Sequence, residues 1–234
     1  MRTKAKGWLA AAILITIAAV LVVPYYLLPR TAARIIGSVL RTELGGTVEV
    51  SVGTNFGWEL VFGRFPAVEI AGAQWTLDGL PIDCFSLRGR NVQVDLSSLV
   101  RNGRFAYLSA ADLQVELRIT EKGLNQYFWE KIDPERRFRI DLARGRAFLH
   151  GELELWQTRW NVSLICECRI SKPAAIVMVP VEFMVFDTRV PDILLEIINE
   201  NYRFQFNLGR LPIPINLESI ELFDEYLVLH GSGA

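Results

Sequence analysis

Two histidines and three cysteines in 234 residues leave few of the groups most used for metal binding, nucleophilic attack or proton transfer near pH 7. No Gly-x-Ser-x-Gly elbow, Gly-rich phosphate loop followed by Lys, or His-Glu-x-x-His occurs. The sequence therefore assigns no catalytic residue, no metal ligand and no cofactor, and the expectation is a protein that is not an enzyme. Charge of one sign is also missing. The 25 Lys and Arg nearly balance the 26 Asp and Glu, and a pI near 6.2 provides no general basic field to hold nucleic acid. With 51% of residues apolar and 22% charged, intrinsic disorder is excluded and a sizeable core is affordable.

What is present begins with an uncharged run. Trp8 to Leu28 has no charged residue in 21 positions, and as a helix at ~1.5 Å per residue it spans about 31 Å, the thickness of a bilayer's hydrocarbon core. Trp8 lies at one end and Tyr25 and Tyr26 near the other, where amphipathic rings favour the interfaces. Arg2, Lys4 and Lys6 precede the run. These features fit a retained transmembrane anchor, and also a cleaved signal sequence, because Thr31-Ala32-Ala33 has the small residues of a cleavage site. Residues 1–30 are read as anchor or signal, and residues 31–234 as a single domain expected on the extracytoplasmic side. Beyond residue 28 the charge is 22 positive against 26 negative, so a cationic head joins a mildly acidic body.

Ala32, Ile35, Ile36, Val39 and Leu40 recur at the three-and-four spacing of an amphipathic helix, stopped by Gly45-Gly46. Its stripe can pack on the domain's own sheet or face lipid. Further on the period is two. Val48, Val50 and Val52; Val92, Val94 and Leu96; and Leu113, Val115, Leu117 and Ile119 each alternate with polar neighbours. The longest run, Trp160 to Ile170, reads as a strand with one buried face about 33 Å long at ~3.3 Å per residue, which suits a long curved sheet. Turn signals stand at Asp78-Gly79, Asn102-Gly103, Arg144-Gly145, Lys172-Pro173 and Asp224-Glu225. Two helices interrupt the strands: Glu121–Lys131, capped by Thr120, and Asp192–Asn201 behind Pro191. About ten strands and three helices with no linker after residue 31 make one α+β domain on a tether.

Ala174 to Val181 is apolar on both faces, which fits a strand between two layers, the lining of a ligand cavity, or a rim that meets the membrane. Arg136, Arg137, Arg139, Arg144 and Arg146 cluster within eleven residues, as a solvated strand face or a phosphate-binding patch. Cys166 and Cys168 share one strand face about 6.6 Å apart by strand rise, too far for a disulfide without distortion, so both read as small buried hydrophobes. His150 and His230 have no partners at catalytic spacing.

The order of these pieces, with Thr120-Glu121-Lys122-Gly123-Leu124-Asn125-Gln126-Tyr127 at its centre, resembles the LmeA-like phospholipid-binding family of bacterial cell-envelope proteins. Phe128 stands where that family usually has Leu after Leu-Asn-x-Tyr. Val92 to Gly103 is similar to its strand, turn and Arg-x-Gly, and Leu211 to Gly231 to its closing Leu-Pro loop and hairpin. The resemblance implies a tubular lipid-binding-like α+β fold, a strongly curved antiparallel β-sheet wrapped around amphipathic helices and preceded by an N-terminal transmembrane anchor, that takes phospholipid or a similar amphiphile into an apolar cavity, for lipid transport or envelope maintenance at a bacterial inner membrane. The partners it implies are lipid and membrane, not nucleic acid; a protein partner is unknown. Candidate lipid contacts are Ile35, Ile36, Val39, Leu40, Leu164, Met178, Met184, Leu194, Ile197 and Ile198, with Arg137 and Arg139 for a head group. The competing reading is a non-catalytic structural or interaction module with a fully packed core.

Overall fold

The computed structural model describes Thr16 and residues 23–55, 57–102, 106–155, 158–171, 175–186, 188–193, 195–196, 204–208 and 215–233. Most of the uncharged Trp8–Leu28 run lies outside them. Among the described residues no helix is long and apolar enough to cross a membrane.

A π-helical stretch, Val23–Leu27, leads directly into helix α1, Leu28–Leu44. The helix ends where Gly45 N donates to the Arg41 carbonyl at 3.0 Å. Gly45 and Gly46 then take φ of 73° and 65°, and a Cβ on Gly46 would lie 2.4 Å from the Ala73 carbonyl oxygen. Both left-handed backbone and close approach demand glycine there. Strand β1, Thr47–Gly53, returns antiparallel along the helix, with Gly37 and Val50 facing each other midway. Short helix α2, Trp58–Val61, follows, and then the long hairpin β2 (Arg64–Leu77) and β3 (Leu80–Val94), turning at Asp78-Gly79.

The remaining elements are α3 (Leu96–Asn102), β4 (Tyr107–Ser109), β5 (Asp112–Thr120), α4 (Glu121–Lys131), β6 (Phe138–Ala143), β7 (Arg146–Leu155), β8 (Thr158–Ser171), β9 (Ala175–Val185), β10 (Thr188–Arg189), β11 (Phe204–Asn207), β12 (Ile215–Phe223) and β13 (Tyr226–Gly233). Helix α3 begins where the sequence pattern continues a strand through Leu96. Asp95 ends that strand by accepting hydrogen bonds from the backbone of Ser97 and Ser98 at 2.9 and 3.4 Å, as an N-cap does. Of the expected Asp192–Asn201 helix, Asp192, Ile193, Leu195 and Glu196 are helical; Leu194 and residues 197–201 lie outside the described residues.

The strands form two antiparallel sheets, not one. The first runs β1-β2-β3-β5-β13-β12 with β4 beside β3, and the second runs β10-β9-β8-β7-β6 with β11 beside β9. The division has a simple cause. The C-terminal hairpin claims the free edge of β5, pairing Leu117 with Leu229 and Thr120 with Tyr226, so β6 has no place in the first sheet and starts the second. One continuous core joins them: Ile36 and Leu40 from α1, Ile70, Leu87, Leu117 and Leu229 from the first sheet, Leu124 and Phe128 from α4, and Ile140, Leu149, Leu164, Cys166 and Met178 from the second.

Strand β8 departs from the one-faced reading. Val162, Ser163, Leu164, Ile165 and Cys166 are all buried, so both of its faces are covered in the middle. Ile165 breaks the polar alternation, and the register with β9 shifts between Ile165 and Cys166. Strand β9 has no fully exposed residue from Ala175 to Val185, in keeping with its unbroken apolar sequence.

Candidate functional site

Helix α4 starts where Thr120 Oγ1 accepts from Gly123 N at 3.2 Å and Glu121 N donates to the Glu225 carbonyl at 2.8 Å. Leu124 and Phe128 point into the core, and the packing against β3 is tight, because a Cβ on Gly123 would lie 2.9 Å from the Pro81 carbonyl oxygen. The face toward the second sheet carries Glu121, Asn125 and Trp129, and these three pair with the open edge of β6. Glu121 Oε2 accepts from Leu142 N at 2.9 Å, Asn125 bonds both N and O of Ile140, and Trp129 Nε1 donates to the Phe138 carbonyl at 2.7 Å. Asp133 accepts from Phe138 N at 2.8 Å, and Glu225 N reaches the Leu142 carbonyl at 3.5 Å. The motif of the resemblance is thus structural, and Asn125 is committed to backbone.

The cationic cluster divides by surroundings. Arg139 pairs with Glu121 at 3.1 Å and Asp141 at 2.8 Å, and the Glu121 hydrogen bond, then the Asp141 charge, raises its already high pKa. Arg137 pairs with Glu135, and Arg136 lies over the Trp129 ring, 5.2 Å from its centroid. Both candidate head-group residues therefore already hold carboxylates. Arg144 and Arg146 form no ion pair among the described residues and are exposed.

Arg144 borders a groove of about 540 Å³ at the seam between the sheets. Its other walls are Gly145 of the β6–β7 turn, Glu167 and Cys168 of β8, and Ile220, Glu221, Leu222 and Phe223 of β12. Among the described residues three ties cross the seam: Gly145 N donates to the Leu222 carbonyl at 3.2 Å, Arg144 N to Asp224 Oδ1 at 3.2 Å, and Glu225 N to the Leu142 carbonyl at 3.5 Å. Cys168, Ile220 and Leu222 pack on the shared core, and burial pushes the Cys168 thiol up to about 12, so it stays a neutral, apolar wall. Cys166 is similar, pushed to about 12 by burial, and all three cysteines are free. The seam is an open groove in which Cys168, Ile220 and Leu222, packed on the core, stand beside the charged Arg144, Glu167 and Glu221.

A second groove, about 480 Å³, lies on the outer face of the second sheet between His150, Gly151, Glu152, Asn161, Val162, Ser163, Met184 and Phe186. His150 Nε2 is 3.7 Å from Asp141 Oδ2, and its ring stacks on Phe148. Ser163 is the residue opposite His150 on β8, yet its buried Oγ has no hydrogen-bond partner among the described residues. Among the described residues no three His, Cys, Asp or Glu side chains gather as metal ligands.

The candidate lipid contacts fall into four groups. Ile36, Leu40, Leu164 and Met178 are buried in the shared core. Val39 packs against it half-buried, while Ile35 on the same helix turns outward, 36% exposed. Met184 lines the outer groove. Leu194, Ile197 and Ile198 lie outside the described residues. The seam residues Cys168, Ile220 and Leu222 are missing from the expected set because seam walls are made by pairing β12 next to β8, a contact no local pattern reveals.

The domain is thus two antiparallel sheets that share one apolar core, with an open groove along the seam between them. The chain belongs to the LmeA-like phospholipid-binding family, whose model matches residues 26–232. No curated protein and no solved structure matches it.

Proposed function

We propose that this protein binds phospholipid or a similar amphiphile in the cell envelope, held at the membrane by residues 1–30 with residues 31–234 on the extracytoplasmic side, and serves lipid transport or envelope upkeep. The observation that carries the reading is the family match over nearly the whole chain. The seam supplies a route: acyl chain enters over Cys168, Ile220 and Leu222, and the head group stays at the rim near Arg144. Each methylene removed from water contributes ~0.8 kcal/mol, so ten offer about 8 kcal/mol of gross driving force without any bond being made.

The test is native mass spectrometry of the full chain released from detergent micelles, before and after incubation with mixed phospholipid vesicles. Stoichiometric lipid, reduced by Leu222→Trp, is the expected result. A folded chain that carries no lipid favours the second reading, a structural module with a packed core, which has its own support in the near-complete burial of Ile36, Leu40, Leu164 and Met178.

A further inference from the structure

At one pole of the domain large apolar side chains stand in solvent. Trp58, Val61 and Phe62, on and just after α2, are 51%, 49% and 78% exposed, and Leu108 on β4 is 62% exposed. Backbone pairing brings their two segments to the same end of the first sheet. Gly63 follows Phe62 directly and accepts from Val94 N at 2.9 Å, and Val94 is paired with Tyr107, next to Leu108. The α2 turn is forced into this position by Gly57 and Gly63, at φ of 75° and 72°; a Cβ on Gly63 would lie 2.3 Å from the Val94 carbonyl oxygen. An α2 of four residues that buries only Leu60 and leaves Trp58 and Val61 outside contributes little core for the glycines it requires.

The pole is also where the uncharged run arrives. With Gly37 opposite Val50 and the two elements antiparallel, the start of α1 points to the end of β1, beside α2. There Tyr25, Tyr26 and Leu27 are each more than half exposed, and the preceding sequence back to Trp8 has no charge. Arg30 and Arg64 are exposed at the same pole and make no ion pair among the described residues, while Glu59 is half-buried. Aromatic rings with arginines about them match the interfacial layer of an anionic bilayer.

We infer that the Gly57–Gly63 turn is a foot: Trp58, Val61, Phe62 and Leu108 insert into the interface of the bilayer that the uncharged run enters, fixing the domain's orientation on the membrane. The inference rests on the anchor reading above, and the experiment separates the two. Single nitroxide labels are placed at Val20→Cys, Phe62→Cys and Glu130→Cys in the full chain carrying Cys84→Ser and Cys168→Ser, reconstituted in vesicles of phosphatidylglycerol and phosphatidylcholine. Relaxation by oxygen, which prefers lipid, is compared with relaxation by a water-soluble nickel chelate. Expected is a lipid-like ratio at 20 and 62 and a water-like ratio at 130, which sits on α4 at the far pole. A water-like ratio at 62 overturns the foot, and with a lipid-like ratio at 20 it leaves the anchor standing. A lipid-like ratio at 62 with a water-like one at 20 keeps the foot and removes the anchor.

Discussion

The carboxamide of Asn125 pairs with the backbone of Ile140 as a neighbouring strand would: Nδ2 donates to the Ile140 carbonyl at 2.6 Å and Oδ1 accepts from Ile140 N at 2.8 Å. The geometry generalises along the edge because two spacings nearly coincide. Four residues of helix advance about 6.0 Å, and two residues of strand about 6.6 Å. Glu121, Asn125 and Trp129 therefore meet Leu142, Ile140 and Phe138 in turn, with helix and strand antiparallel.

Replacing Asn125 with Ala leaves a buried N–H and a buried C=O on Ile140 without partners, and should cost about 3 kcal/mol. Asn125→Asp keeps the acceptor and loses the donor, so its loss should also be clear. Chemical unfolding followed by tryptophan fluorescence measures both; an Asn125→Ala midpoint equal to wild type would show that the edge pairing is dispensable.

Gly123→Ala improves intrinsic helix propensity by about 1 kcal/mol, yet the new Cβ would sit 2.9 Å from the Pro81 carbonyl oxygen. Backbone cannot yield as a side-chain tip does, so the net effect should be destabilising by about 1–2 kcal/mol. A stabilised variant in the same unfolding assay would mean that α4 can ride away from β3 at no cost.

Asp95 has its carboxylate pKa lowered from 3.8 to about 2, chiefly by the Ser97 hydroxyl and then the Ser98 hydroxyl. The folded value lies below the unfolded one, so its contribution is whole above pH 3.8, declines as pH falls, and is gone below about 2. Asp95→Asn should remove this part of the acid dependence while keeping an N-cap acceptor. Carbon-13 titration of the Asp95 carboxyl gives the midpoint directly, and a value near 3.8 would remove the cap's role.

Ser163→Ala removes a buried hydroxyl that has no hydrogen-bond partner among the described residues. The variant should be more stable by about 1 kcal/mol, since the desolvation cost of that group vanishes. Destabilisation would mean that the hydroxyl bonds something the described residues do not include.

Much of this architecture is legible in residue order. Thr120 and the apolar spacing after it give α4 and its cap, the three-and-four spacing gives α1, and Asp78-Gly79, Arg144-Gly145 and Asp224-Glu225 each close a hairpin. Local patterns carry these because their partners are within a few residues. The neighbourhood of β5 and β13 joins positions more than a hundred residues apart, and no period in either strand announces it. Leu96 continues an alternation and so reads as strand until Asp95 turns out to cap a helix. The candidate lipid contacts are the hardest to read, because core and ligand wall demand the same apolar residues: Ile36, Leu164 and Met178 satisfy either, and the structure packs all three in the shared core. Arg137 and Arg139 show the same limit for charge, since Glu135 and Glu121 come to them through folding.

The hydrogen bonds of β6 bear on more than the stability of α4. From Phe138 to Leu142 every outward N–H and C=O on that edge is engaged, and an edge with nothing left to offer cannot template a strand from another molecule. Copies of the chain at high local concentration thus have one fewer route to cross-β aggregation, and a substitution at Asn125 would reopen it in the middle.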